Sequence, residues 1–127
     1  MGGITMTTIR AYTTIEQSKK LAEILPLESA DMLFQLGEDK YADSIRVPLT
    51  KEHWEQMMPD IKPCWSLAAL LNILDYPQLS KDKLGSGKTG WMVSVYPDDC
   101  RYDSCWHDNP IDACYELILK LNELKML

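Results

Sequence analysis

The sequence predicts an α+β fold, in which a small, mostly antiparallel sheet packs against a buried central helix and a C-terminal amphipathic helix. Nine of the eleven residues over 64–74 are apolar, which is typical of a helix buried on all sides. The stretch 91–96 alternates in a strand pattern and is followed by a turn. The last segment, about 110–125, places apolar residues at helical spacing.

Residues 1–13 are predicted to be a flexible leader, and residues 14–127 a single domain, which is long enough to bury a core without staples. Thr14 predicts the start of a helix, because Gln17 follows three residues later as in a capping box. Pro26 predicts its end, since proline cannot continue the ladder of hydrogen bonds.

Two short strands and a helix are expected next. Residues 31–37 predict a strand that ends at Gly37, and 44–49 predict an edge strand, because Pro48 has no N–H to donate. Residues 50–59 predict a short helix. Its large apolar side chains form either a contact surface for a protein partner or a cap on the core; they are Trp54, Met57 and Met58.

The segment 75–90 is polar, carries Pro and Gly, and predicts a loop. Gly87-Lys88-Thr89 matches the end of a phosphate-binding loop, but Asp82 stands where that motif needs its first glycine. A polar stretch precedes the motif and a strand follows it, whereas the phosphate-binding motif connects a buried strand to a helix. We therefore expect a turn and no nucleotide site.

The stretches 91–96 and 101–107 predict a hairpin, in a register that a slip of one residue would reverse. The predicted pairs are Val95–Tyr102, Val93–Ser104 and Trp91–Trp106. The expected core face holds Trp91, Val93, Val95, Tyr102 and Trp106, and the expected polar face holds Arg101, Asp103, Cys105 and His107.

The final helix is predicted to begin with Asn109 as its cap and Pro110 in its first turn. A narrow polar stripe contains Asp112, Glu116, Lys120 and Glu123. A wide apolar arc contains Ile111, Cys114, Leu117, Ile118, Leu121 and Leu124, with Tyr115 and Leu119 at its margins. The arc either packs on both the sheet and the 64–74 helix, or its outer flank forms a homodimer.

Composition excludes several classes of function. Thirteen basic and nineteen acidic residues give a net charge of −6, which favours neither nucleic acid nor anionic lipid. The longest apolar run, 67–71, is too short to cross a membrane, and the first ten residues hold no signal peptide. Hence the expected location is the cytoplasm, with all four cysteines as thiols.

The hairpin region 98–108 concentrates possible metal ligands, of which Cys100, Cys105 and His107 are the candidates for zinc. Their C-x₄-C-x-H spacing lies outside the usual C-x₂₋₄-C knuckle, so the alternative is a solvated strand face. A Cys105–His107 nucleophile pair would need a third, orienting group. We expect no catalytic residue, metal or cofactor.

The phrases "WSLAALL" at 65–71 and "NPIDAC" at 109–114 resemble small uncharacterised proteins of phages, prophages and mobile elements of gut Bacteroidetes. This resemblance implies a bacterial cytoplasm and no particular activity. The strands and helix of the last third are similar in shape to HicB-type antitoxins, although the glycine-cysteine turn of that family is missing.

These observations lead to one main hypothesis and two alternatives. The main hypothesis is a non-enzymatic accessory protein of a phage or mobile element that binds another protein. The first alternative is a HicB-like antitoxin or regulator. The second is a small metal-dependent enzyme that uses the 98–108 hairpin.

Overall fold

A computed structural model of the protein describes residues 11–36, 41–45 and 61–127. In chain order the elements are α1 (Ile15–Ile24), a 3₁₀ turn (Leu27–Ser29), β1 (Met32–Leu36), β2 (Tyr41–Ile45), β3 (Ile61–Cys64), α2 (Leu67–Ile73), β4 (Gln78–Lys83), β5 (Thr89–Val95), β6 (Tyr102–Asp103) and α3 (Pro110–Glu123). The α+β class is confirmed. The strands form two antiparallel sheets, ordered β2-β1-β3 and β4-β5-β6.

Some predictions fall on residues outside the described ranges. These are the end of the first strand at Gly37, residues 46–49 of the second strand, and the helix 50–59 with Trp54, Met57 and Met58. Residues 44 and 45 of the predicted second strand lie in β2.

The capping box of α1 is confirmed. The Thr14 hydroxyl accepts a hydrogen bond from the Gln17 backbone N–H at 3.1 Å, and the Gln17 side chain accepts one from the Thr14 N–H at 3.0 Å. Residues 1–10 of the predicted leader lie outside the described residues, but its last residue, Thr13, is part of the folded domain. Thr13 is fully buried, its N–H donates to the carbonyl of Trp65 at 2.9 Å, and its hydroxyl accepts from the Trp65 N–H at 3.1 Å.

The apolar stretch 64–74 is divided between two elements, so the predicted helix begins later than expected. Cys64 ends β3, and Ser66 caps α2 by accepting from the Ala69 N–H at 3.2 Å. Asp31 fixes this boundary, because its carboxylate accepts from both the backbone N–H and the hydroxyl of Ser66. The helix α2 contributes Leu70 to the core but exposes other residues to solvent, so it is buried on one side only.

The segment 75–90 is not a loop throughout, because β4 pairs with β5 along its whole length. A tight turn joins the two strands: the Leu84 N–H donates to the Lys88 carbonyl, and the Gly87 N–H donates to the Leu84 carbonyl, both at 2.8 Å. Gly87 has φ +87°, a conformation that glycine adopts without strain. The glycine-rich stretch thus serves a turn between antiparallel strands.

The second hairpin starts in the predicted register. Val95 lies opposite Tyr102. The Ser104 backbone N–H donates to the Val93 carbonyl at 2.9 Å, and the Ser104 hydroxyl accepts from the Val93 N–H at 3.0 Å. A side-chain oxygen therefore takes the place of a backbone carbonyl at this point of the ladder.

Beyond Ser104 the register differs from the prediction by one residue. Trp91 pairs with His107 through two backbone hydrogen bonds of 2.7 and 2.8 Å, and not with Trp106. The bond to the Ser104 side chain lets one extra residue enter before pairing resumes, as in a bulge. Trp106 consequently lies away from the core, with 39% of its surface exposed, which corrects its predicted burial.

The helix α3 is confirmed in its cap and its start, with the Asn109 side chain accepting from the Asp112 N–H at 3.0 Å, and it ends at Glu123, two residues before the predicted end. It contacts both β5 and α2. The larger core cluster of the described chain comprises Leu21, Leu25, Ala30, Trp65, Leu70, Leu74, Val93, Val95, Ile111, Ala113, Cys114, Leu117, Ile118 and Leu121. A second, smaller cluster contains Met32 and Cys64. None of the described helices combines the length and apolar character that crossing a bilayer requires.

The C-terminal end of α3 turns back on itself. Lys125 has φ +57°, its N–H donates to the Asn122 carbonyl at 3.0 Å, and the Met126 N–H donates to the Leu121 carbonyl at 2.9 Å. This pair of bonds is the Schellman motif. It brings the last residues of the chain back against the body of the protein.

Candidate functional site

The candidate metal ligands on the hairpin meet a residue that sequence reasoning had assigned only to a polar stripe. Glu116 Oε1 lies 3.0 Å from His107 Nε2, and Glu116 Oε2 accepts a hydrogen bond from the Cys105 backbone N–H at 2.7 Å. Cys105 and Cys100 are exposed. The structure thus brings Cys105 and His107 to one carboxylate, and leaves Cys100 in the turn before β6.

The electrostatics of this cluster oppose nucleophilic chemistry at Cys105. The hydrogen bond and the negative charge of Glu116 raise the pKa of the Cys105 thiol above its ordinary value. Reactive cysteines need the opposite, a lowered pKa beside a positive group. Both Glu116 oxygens already accept hydrogen bonds, and the described residues include no group of three or more His, Cys, Asp or Glu that could hold a metal ion.

The polar stripe of α3 is a row of tertiary contacts. Asp112 accepts a hydrogen bond from the side-chain amide of Gln17 at 2.6 Å, and Lys120 donates to the Asp103 carbonyl at 3.0 Å. Glu116, between them, binds the segment after β6 as described above. Asp112, Glu116 and Lys120 are spaced four residues apart, so they lie on one face of α3. This spacing is the sequence signal that could have predicted a polar contact face on the helix.

The thiols of the two buried cysteines have raised pKa values for a different reason. Burial raises the pKa of the Cys64 thiol to about 12, and the nearby Asp31 charge adds to this effect. Burial alone raises the pKa of Cys114 to about 12. Both side chains are therefore protonated core residues at neutral pH, and all four cysteines are free.

A concave surface lies at the opposite end of β5 from the His107 cluster. It encloses about 580 Å³, a volume within the range of ligand sites. The C-terminal ends of α1, α2, β5 and α3 converge there. This apolar groove is lined by Ile24, Leu25, Pro26, Asn72, Ile73, Leu74, Asp75, Val95, Pro97, Leu121, Asn122, Met126 and Leu127.

The segments that line the apolar groove carry most of the exposed large apolar side chains of the described chain. Of the six large hydrophobic residues exposed in the described part of the chain, five line it or lie within two positions of a lining residue; they are Leu27, Tyr76, Tyr96, Leu124 and Leu127. The sixth, Trp106, lies beside β5, between the residues that bond to Val93 and to Trp91. Contiguous exposed apolar surface is characteristic of interaction sites, whereas isolated exposed residues are ordinary.

Tyr76 combines exposure with backbone strain. Its side chain is 88% exposed, and its φ is +47°, a conformation that is rare for a bulky residue. It also precedes Pro77, which disfavours helical backbone at the residue before it. Strain of this kind tends to occur where a residue has a role besides stability.

The surroundings of the apolar groove are acidic. Asp75 is the one charged residue in its described lining, and within the described chain no hydrogen bond or ion pair engages its carboxylate. The exposed charges within two positions of a lining residue are six acidic side chains and two basic ones. They are Glu23, Glu28, Asp75, Asp98, Asp99 and Glu123, against Lys120 and Lys125.

The apolar arc of α3 is used mainly inside the chain. Ile111, Cys114, Leu117 and Ile118 are fully buried, in agreement with packing on both the sheet and α2. Leu124 is exposed and lies beside the apolar groove. The homodimer through this helix stays a prediction, for which Leu124 and the half-buried Tyr115 and Leu119 would supply the apolar surface.

Comparison with known proteins gives no relative for this arrangement. No family model matches the chain, and neither the curated proteins nor the solved structures returned a significant match.

Proposed function

We propose that this protein is a non-enzymatic binding domain that engages another protein through the apolar groove. The observation that carries the proposal is a concavity formed by the ends of four elements, whose lining segments carry most of the exposed large apolar side chains of the described chain. Leu127 lines the groove, and four others lie within two chain positions of a lining residue. Aromatic residues such as Tyr76 and Tyr96 are enriched in protein interfaces.

The cluster of Cys105, His107 and Glu116 supports this proposal indirectly. Cys105 and His107 lie on a partly exposed surface and share a carboxylate that disfavours the thiolate. Glu116 has a structural task there, because it joins the segment after β6 to α3. The phage or mobile-element origin and the bacterial cytoplasm implied by the sequence resemblance complete the proposed setting.

The experiment compares three baits in an extract of a gut Bacteroidetes host. The first is the unchanged protein. The second combines Tyr76→Ser, Tyr96→Ser and Leu127→Ser, which removes apolar surface at the groove from exposed positions. The third carries Trp106→Ser, which removes the exposed apolar side chain that lies away from the groove. Circular dichroism and urea denaturation check that all three retain the fold.

We expect one or more proteins to be captured by the unchanged bait and by Trp106→Ser, but not by the triple variant. Substitutions at exposed positions change stability by only about 0.5 kcal/mol each, so lost capture would reflect the lost surface. The proposal fails if the triple variant retains every protein that the unchanged bait retains.

A further inference from the structure

We propose that the occupant of the apolar groove is a basic segment of a partner protein, which buries apolar side chains in the groove and places a Lys or Arg beside Asp75. This inference rests on the proposed function and specifies the chemistry of the partner.

The first step of the argument is the Asp75 carboxylate. It lies in the wall of an otherwise uncharged groove, and no described side chain or backbone group is bonded to it. Asn72 and Asn122 are the other polar side chains of the lining. An occupant that brought only apolar groups would leave this carboxylate partly desolvated and without a partner, which is unfavourable. A Lys or Arg on the occupant would supply the missing counter-charge.

The second step is the charge of the surroundings. Within two chain positions of a lining residue, six exposed acidic side chains stand against two basic ones, and one of the six, Glu23, is paired with Lys20 at 3.6 Å. We call this excess of negative charge the rim of the groove. Complementary charge accelerates association and excludes partners of the same sign. A basic segment is attracted over the whole rim and not only at Asp75.

The negative charges around the groove disfavour two other possible occupants of it. A second copy of this chain, docked by two-fold symmetry through the same face, would place acidic rim against acidic rim. An anionic membrane surface would be repelled for the same reason. A basic peptide segment has neither conflict, and its apolar residues suit the lining formed by side chains such as Ile24, Val95 and Met126.

The test uses two short synthetic peptides of equal length that share their leucine positions at helical spacing. One carries Lys at all polar positions and the other carries Glu. Calorimetry measures the binding of each peptide to the unchanged protein, to Asp75→Asn, to Asp75→Lys and to Asp82→Lys. Asp82 is an exposed residue at the far end of β4, opposite Gly90, so Asp82→Lys changes the net charge equally without touching the groove.

We expect the Lys peptide to bind and the Glu peptide not to bind. Asp75→Asn should weaken the Lys peptide about three-fold, as for a partly exposed ion pair, and Asp75→Lys about ten-fold. Asp82→Lys should weaken it less than about two-fold. The triple variant of the previous section should bind neither peptide.

The inference is overturned if both peptides bind equally, if neither binds, or if the variants at Asp75 and Asp82 behave alike. Its failure differs from failure of the proposed function. The triple variant could lose its captured proteins while the substitutions at Asp75 leave peptide binding unchanged. In that case the groove binds protein, and only the inferred basic character of the occupant is wrong.

Discussion

His107 Nε2 lies 3.0 Å from Oε1 of Glu116, so an imidazole after β6 is in direct contact with a carboxylate in the middle of α3. The second oxygen of the same carboxylate accepts the Cys105 backbone N–H. The Glu116 side chain thereby joins two points of the irregular segment after β6 to α3, and the opposite face of α3 lies in the core.

Replacement of Glu116 by Ala should lower the free energy of unfolding by about 1–2 kcal/mol, because two hydrogen bonds are lost at once. Urea denaturation measures this change. The control is Glu123→Ala on an exposed position of the same helix, for which we expect a change within about 0.5 kcal/mol. Equal effects of the two substitutions would show that the contact with His107 and Cys105 adds nothing to stability.

The contact also predicts how stability depends on pH. Partial burial alone would raise the pKa of Glu116, but the hydrogen bonds from Cys105 and His107 outweigh it and hold the pKa below its ordinary value. A lowered pKa in the folded state stabilises the protein above the unfolded pKa of about 4.3. This stabilisation is lost as the pH falls through the folded value.

Glu116→Gln should therefore be less stable than the unchanged protein at neutral pH, and the difference should shrink in acid, well below about pH 4. Urea denaturation at both pH values measures it. A difference of the same size at both would mean that the charge of Glu116 is not the source of the stabilisation.

Thiol labelling should separate the four cysteines into two classes. Cys100 and Cys105 are exposed and should react in the folded protein, whereas Cys64 and Cys114 are buried and should react only on unfolding. Because Glu116 raises the pKa of Cys105, Glu116→Gln should increase the thiolate fraction and the labelling rate of Cys105 near neutral pH.

Mass spectrometry of the labelled peptides reports each site, and Cys100 in the same sample is the internal reference. An unchanged ratio of Cys105 to Cys100 labelling in Glu116→Gln would contradict the assigned influence of Glu116. Rapid labelling of Cys64 or Cys114 in native conditions would contradict their burial.

Two glycines of the turn between β4 and β5 provide a matched pair. A methyl group added at Gly85 or Gly87 would meet no atom within 4 Å, but only Gly87 has a positive φ, of +87°. Gly87→Ala should therefore cost about 1 kcal/mol through backbone strain alone. Gly85→Ala should be neutral or slightly stabilising, because it restricts the unfolded chain. Thermal denaturation distinguishes the two, and equal effects would rule out this account of the turn.

Lys125 stands at the position of the Schellman motif where glycine is usual, with φ +57°. Lys125→Gly should stabilise the protein by about 1 kcal/mol, because the left-handed conformation then carries no steric cost. Glu123→Gly, at the last residue of α3, should instead destabilise it by up to about 1 kcal/mol. Should Lys125→Gly destabilise the protein, the closing turn of α3 must depend on the lysine side chain.

Local signals in the sequence were sufficient where one residue decides the structure. Thr14 and Asn109 both cap the helices that they predict, because a side-chain oxygen that satisfies a free N–H is a short-range effect. The fold class followed from these helices and from the alternation in β5. The strand β4 was missed, because most of its residues are polar and none of them is fully buried, so no alternation of apolar and polar residues marks it.

Longer-range features could not be predicted in the same way. The shift in register after Ser104 depends on its hydroxyl taking a ladder bond, which the alternation of apolar residues does not encode. The apolar groove has lining residues from four separate elements, and no spacing along the chain connects Ile24, Asp75 and Leu127. Glu116, which binds both Cys105 and His107, belongs to α3, and its contact with the segment before that helix is not apparent from the sequence.

The walls of the apolar groove are the ends of elements whose other residues form the core, so filling the groove clamps those ends together. Occupancy must then raise the midpoint of thermal unfolding, by an amount that corresponds to about 2.7 kcal/mol when the occupant is present at a hundred times its dissociation constant. Collections of basic peptides or candidate proteins can accordingly be screened by melting temperature alone, with no assay of activity.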